Sequence, residues 1–273
     1  MSNSTKRDDD KIMSAIAEAC HQLRLPAFFE ELVRQEQEPA LAAQGTLMRL
    51  EAALQSELGS RKDKRLQRML KESCINDVMA SIDKITFESS RGLNEGLVKD
   101  LAECNWLEVE PHLNVIITGK TGCGKSWLAK ALGKEAIKHG FSTWYWRTAQ
   151  LCERMNKERA DNQSAQFRSR LQNRKLIIID DFAMTPMSDA LKDDFLSFLE
   201  ERENYGSLII ASQRRFDDWY NYIGGSYHSD AIMDRFKNNS YLIELKGRSL
   251  RESRENAKML RELNKKMNQE TDA

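Results

Sequence analysis

Short, near-continuous apolar runs recur along the later part of the chain, at Leu113–Thr118, Ser142–Trp146, Leu176–Asp180, Ser207–Ser212 and Ser240–Leu245. Their length suits strands apolar on both faces. Between them the spacing of apolar residues turns helical, with segments starting near Lys125, Thr148, Ser188 and Ser229. Ser229 reads as the N-cap of the last of these. A strand buried on both faces needs a cover on both. Helices alternating with such strands supply it through right-handed crossovers, so the pattern predicts an α/β fold with a doubly wound parallel sheet.

The beginning of the chain carries a different pattern. Ile12, Ile16, Ala19, Cys20 and Leu23 share one helix face; Pro26 suits the opening of a second helix with Phe28, Phe29, Leu32 and Val33 on its apolar side. Leu47, Leu50, Leu54 and Leu58 repeat at helical spacing in a third. No strand signal interrupts them. The expected organisation is a polar disordered tail over 1–10, a small all-helical domain over 11–74, the α/β core over 75–251, and a basic helix and tail over 252–273.

Charge changes this picture only locally. The chain has 273 residues, and 42 basic side chains balance 42 acidic ones. Net neutrality leaves nucleic-acid binding open, because the placement of charge decides it. Basic residues gather in Arg61–Lys71, in Arg147–Lys175 and in Lys246–Lys266. The five cysteines form no close pair, which argues against a disulfide framework or a metal cluster and for a reducing, cytoplasmic setting. The polar start lacks the apolar stretch of a signal peptide, and no run reaches the ~18 apolar residues of a membrane span.

The chemistry centres on Gly119, Lys120, Thr121, Gly122, Cys123, Gly124, Lys125 and Ser126, which match G-x-x-x-x-G-K-[ST] after a strand and at the start of a helix. Glycines let the backbone curl until its N–H groups point at phosphate oxygens, and the helix start adds unpaired amides and a positive dipole end. Lys125 is expected to reach the β- and γ-phosphates of ATP, and Ser126 to supply an oxygen to Mg²⁺. Asp180 and Asp181 end an apolar strand, where a parallel sheet binds its ligands. Asp180 is the candidate metal carboxylate and Asp181 the candidate for orienting or deprotonating the attacking water. Ser212 and Gln213 close the fourth strand, and either is placed to sense the γ-phosphate. Arg235, in the expected helix after Ser229, is the candidate arginine finger.

Taken together, Gly119–Ser126, Leu176–Phe182, Ile209–Gln213 before Trp219, Ala231–Arg235 and Ile243–Arg251 resemble the IstB-like ATPases. These are AAA+ proteins related to the helicase loader DnaC that assist the transposases of bacterial insertion sequences. The resemblance implies a P-loop AAA+ sheet, ATP-driven homo-oligomerisation, duplex DNA bound along the oligomer, and a helical N-terminal domain that docks the transposase of the same element. It implies that Arg235 acts on the nucleotide of a neighbouring subunit. Many AAA+ proteins carry Asp-Glu where Asp180-Asp181 stands, and the shorter Asp181 implies slow basal hydrolysis. Arg251 is a weak candidate for a second sensor.

In AAA+ assemblies the elements after the second strand tend to face the central channel. This favours Lys157, Arg159, Arg168 and Arg170 as DNA contacts. With no base-reading motif in sight, backbone and shape recognition is expected. Three other readings compete: a helicase loader of the DnaC type, a DNA scaffold that binds ATP with negligible hydrolysis, and a small-molecule kinase. The kinase requires an acceptor-binding lid that the sequence lacks.

Overall fold

The computed structural model describes residues 2–77, 79–184, 186–225, 227–247, 249 and 250. Two compact units divide at Arg68 and Met69, inside a long helix.

The first unit contains α1 (Ser2–Gln22), α2 (Pro26–Gln37), α3 (Pro39–Ala42) and most of α4 (Thr46–Glu72). The polar start, expected as a tail, is helical from Ser2, and neither Pro nor Gly intervenes to stop the helix. Pro26 opens α2, where a missing N–H costs nothing. The next amides, of Ala27 and Phe28, donate to Glu57 of α4 at 2.9 and 3.2 Å. Arg61 donates to the same carboxylate at 2.7 Å and to the Arg24 carbonyl at 2.7 Å. Burial works against the Glu57 carboxylate, but Arg61 and the two amides outweigh it and hold its pKa below the ordinary value. The inward face of α4 therefore carries Ala53 and Glu57, while Leu47, Leu54 and Leu58 stay more than half exposed. Arg61, the first residue of the basic run, is spent on this local structure.

The second unit is built on β1 (Asn114–Gly119), β2 (Thr143–Arg147), β3 (Leu176–Phe182), β4 (Ser207–Ser212) and β5 (Ser240–Leu245), all parallel in the order β2-β3-β4-β1-β5. Residues of alternate parity divide between its faces. Ile116, Ile177, Ile179, Leu208 and Ile210 join the cluster formed with α7 (Thr148–Ala160), α8 (Ser164–Gln172), α9 (Asp189–Arg202), α10 (Trp219–Tyr222) and α11 (Tyr227–Asn238). Ile178 faces the other way, onto α6 (Lys125–Lys138), so closely that a Cβ on Gly133 would lie 2.4 Å from it. The helix α5 (Glu95–Ala102) packs against α6.

Trp219 is fully buried and packs its ring against Phe182, Phe216 and Phe236, which ties the end of β3 to α11. Helix α11 begins at Tyr227, so Ser229 lies within its first turn, fully buried, and is not its cap. The expected basic helix over 252–273, with Arg251, lies outside the described residues. Among the described residues no helix is long and apolar enough to cross a membrane, and no cluster of His, Cys, Asp or Glu is arranged to hold a metal ion.

Candidate functional site

Because β4 lies between β1 and β3, the loops after β1 and β3 flank the end of β4. Three of the four segments singled out from the sequence thus meet at one end of the sheet, where a cavity of about 650 Å³ opens.

The loop after β1 is built on left-handed glycines. Gly119, Gly122 and Gly124 have φ of 143°, 81° and 101°, which a side chain would strain. Space is equally short: a Cβ on Gly119 would lie 2.2 Å from the Leu245 carbonyl oxygen, and one on Gly122 2.2 Å from the Ser249 hydroxyl. The loop feeds directly into α6, whose first residue is Lys125. The Lys125 side chain is buried and donates to the Lys120 carbonyl at 2.8 Å. No carboxylate pairs with it among the described residues. Cys123 is buried beneath the loop, so its thiol is shielded from solvent.

Across the cavity, β3 does not end as a regular strand. The β3–β4 register slips between Ile179 and Phe182, and Asp181 takes a left-handed φ of 53°, followed by Ala183 at 63°. Such a bulge re-aims side chains, and a non-glycine residue in this region stores strain. It carries Asp181 off the strand path, which bears on how far its short side chain reaches. Asp180 is buried. Its Oδ2 accepts from the Tyr145 hydroxyl at 2.6 Å, its Oδ1 accepts the Asp181 amide at 2.9 Å, and its carbonyl accepts the Thr148 hydroxyl at 3.0 Å. Burial and the adjacent Asp180 charge push the Tyr145 phenol far above its ordinary pKa, so it remains a hydrogen-bond donor. Arg147, at the end of β2, is held above its ordinary value chiefly by its hydrogen bond to Tyr145, with Asp181 and Asp180 adding to it.

The two candidates at the end of β4 separate. Ser212 is fully buried, donates to the Phe182 carbonyl at 2.7 Å and accepts the Arg214 amide at 3.1 Å. Its hydroxyl is thus committed to joining β3 and β4. Gln213 lines the cavity and accepts the Thr121 hydroxyl at 2.5 Å, so it alone of the pair faces the phosphate loop.

Two segments not singled out as site residues close the rim. Arg91 donates to the Cys123 carbonyl at 3.2 Å and to the Thr86 carbonyl at 2.8 Å. The Leu250 amide donates to the Gly122 carbonyl at 2.9 Å. Ile85, Leu93, Leu245 and Leu250 give this side an apolar wall. Leu250 belongs to a run already conspicuous in the sequence, whereas Arg91 sits in a stretch without periodicity. Tyr145 was hidden in Trp144–Trp146, which reads as plain strand core.

Arg235 stands elsewhere. It lines a small pocket with Asn114, the first residue of β1, and Leu208, the second of β4, and pairs with Glu203 at 3.3 Å. That is the opposite end of the sheet from Lys125, so Arg235 does not reach the nucleotide cavity of its own chain. Of the basic residues picked for DNA, three are engaged within the unit. Arg159 pairs with Asp194 at 3.6 Å, Arg168 with Glu201 at 3.7 Å and Arg170 with Glu158 at 3.2 Å. Lys157 is exposed, has no ion pair among the described residues, and lines an open groove with Arg147, Gln150 and Arg154.

A cavity that joins a left-handed glycine loop, a buried ammonium without an acid partner and a carboxylate pair fits a nucleoside triphosphate with a divalent cation. Comparison with known proteins points the same way. The family model described as IstB-like ATP binding protein matches residues 18–258. The insertion sequence ATP-binding protein y4pL of Sinorhizobium fredii is 34% identical over 198 residues, covering 72% of this chain and 80% of that protein. Among solved structures, AMPPCP-bound DnaA from Aquifex aeolicus superposes with a TM-score of 0.52 at 21% identity, over 62% of this chain and 50% of that one. The DnaC helicase loader does so with a TM-score of 0.51 at 17% identity, over 61% of this chain and 97% of that one. These two likenesses are of fold: the second unit shares its architecture with DnaA and the DnaC helicase loader.

Proposed function

Since the chain belongs to the family of IstB-like ATP-binding proteins of insertion sequences, we propose that it is an ATPase that assembles on duplex DNA and recruits or activates the transposase of its element. The observation that carries this reading is Lys125: a buried ammonium whose described partners, the Lys120 carbonyl and the Cys123 sulfur, both belong to its own glycine loop and neither is a carboxylate, lining a cavity of about 650 Å³. A buried charge without a counter-ion is costly, and a phosphate group would relieve that cost.

In this reading the amides of Gly119–Ser126 cradle the phosphates and Lys125 meets the β- and γ-phosphates. Ser126 and Asp180 are the residues that would hold Mg²⁺, which when bound would supply positive charge to the phosphates. Asp181 orients the attacking water and accepts its proton. Gln213, already bonded to Thr121, senses the γ-phosphate. Arg235 exchanges Glu203 for the nucleotide of the neighbouring subunit, so a complete site requires an oligomer. A short carboxylate at Asp181 and an arginine borrowed from a neighbour both favour slow turnover until subunits close on each other.

DNA is held by its backbone, with Lys157 as the available cation of the groove beside Arg147 and Arg154. The arginines at 159, 168 and 170 contribute where they exchange their internal carboxylates for phosphates. The exposed leucine stripe of α4 suits the N-terminal unit to docking the transposase.

Sedimentation velocity of the protein with ATP, Mg²⁺ and a short duplex tests the reading. A DNA-bound oligomer forms with ATP and dissolves when ATP is withheld. A monomer under both conditions contradicts it.

A further inference from the structure

Tyr145 has no place in the phosphate-binding motifs, yet it makes a short contact with the carboxylate that matters most. Its hydroxyl donates to Asp180 Oδ2 at 2.6 Å while the Asp181 amide holds Oδ1 at 2.9 Å. The two donors sit on different oxygens, so together they fix the rotation of the carboxylate about its Cβ–Cγ bond. With the hydroxyl gone, only the amide would restrain it.

The tyrosine is itself held firmly. Strand β2 is an edge strand, paired on one side with β3, where Tyr145 lies opposite Ile178. On its free edge the Tyr145 amide donates to the Ser73 carbonyl at 2.8 Å. Ser73 is fully buried, and its hydroxyl donates to the Leu70 carbonyl at 2.7 Å and accepts the Ile75 amide at 3.1 Å. The Lys130 ammonium lies 5.0 Å from the ring centroid, on the phosphate-loop helix α6. Backbone clamps on both sides of the residue leave the hydroxyl little freedom to leave Asp180.

We propose that Tyr145 is a positioning residue that sets the orientation of Asp180 toward the nucleotide-bound Mg²⁺. The inference rests on the ATPase reading above. It follows the general behaviour of groups that hydrogen-bond to metal ligands: they fix ligand geometry, and losing one weakens metal affinity roughly 10–100-fold. A phenylalanine fills the same space and keeps the apolar packing, so the hydroxyl can be removed with little change in shape.

The test compares the full-length protein with Tyr145→Phe. ADP binding without metal is measured by calorimetry, and Mn²⁺ binding to the ADP complex by the electron paramagnetic resonance signal of free Mn²⁺. The expected result is unchanged metal-free ADP affinity and Mn²⁺ affinity weaker by about tenfold, with hydrolysis recovered at raised Mg²⁺. A tyrosine that serves packing alone leaves Mn²⁺ affinity untouched in Tyr145→Phe and shows itself only as a lowered melting temperature in Tyr145→Ala; that pattern overturns the proposal. Wild-type protein that binds no ADP overturns the ATPase reading and this inference with it.

Discussion

The two ends of the same five-stranded sheet treat charge in opposite ways. At the carboxyl ends, Lys125 is buried without an acid partner, Asp180 and Asp181 face a large cavity, and the backbone is left-handed at Gly119, Gly122, Gly124, Asp181 and Ala183. At the amino ends the buried cation is held by several backbone carbonyls and has no large cavity beside it. Arg202 is almost fully buried, and burial pulls its guanidinium pKa down to about 9. It stays charged at neutral pH and donates to the carbonyls of Leu171, Gln172, Lys175 and Ser207 at 2.9–3.4 Å. The pocket there holds about 20 Å³. One end is closed, with Arg202 Nε, Ser207 Oγ and Ser240 Oγ left without partners among the described residues but no room for a ligand, while the other carries strain and an ammonium without an acid partner beside a large cavity, which a ligand would relieve. Arg235 breaks the pattern: it sits at the closed end, half exposed, with one partly exposed ion pair that is cheap to break.

That exception gives the sharpest way to break the comparison. Arg235→Ala is expected to lower kcat by about 1,000-fold while ATP affinity by calorimetry stays unchanged. Mixing it with Asp180→Ala protein should restore part of the activity. Loss of ATP affinity in Arg235→Ala would mean that the two ends are not separate.

Next in size, Arg202→Ala removes a donor from four carbonyls, of which those of Leu171 and Lys175 keep the Arg174 and Ser207 amides, and should destabilise the unit by about 3 kcal/mol in urea titrations. Nucleotide affinity per folded molecule should not change. At the other end, Gln213→Ala should slow hydrolysis roughly a hundredfold with stability unaltered, whereas Ser212→Ala should cost about 1 kcal/mol of stability through its bonds to β3 and Arg214. The reverse assignment of the two effects would make Ser212 the sensor. Smallest is Lys157→Ala, expected to weaken duplex binding a few-fold and lower the salt-dependence slope by about one. An unchanged slope would remove Lys157 from the DNA interface.

Much of this was legible in the sequence because it depends on local rules. The five strands are short apolar runs that must be buried on both faces, and the phosphate loop is spelled by its glycines. What could not be read depends on tertiary placement. Ser212 and Gln213 are adjacent polar residues at a strand end, and only the neighbouring strand decides which one is consumed internally. The aromatic run Trp144-Tyr145-Trp146 looks uniform until the pleat turns the middle residue toward Asp180. The leucines of α4 have helical spacing, yet Glu57 is drawn inward to cap α2 and the leucine stripe stays outside. Basic helix faces likewise look free in sequence, although Arg159, Arg168 and Arg170 find carboxylates on α7 and α9.

On the proposed function, the ligand held by Lys125 controls assembly on DNA. Fluorescence anisotropy of a labelled duplex, titrated with wild-type and Lys125→Ala protein with and without ATP and Mg²⁺, addresses it directly. ATP is expected to tighten wild-type binding at least tenfold, since each charge-assisted bond to phosphate contributes about 1.5–3 kcal/mol, and Lys125→Ala is expected to show no response. Equal DNA affinity with and without ATP in the wild-type protein would contradict it.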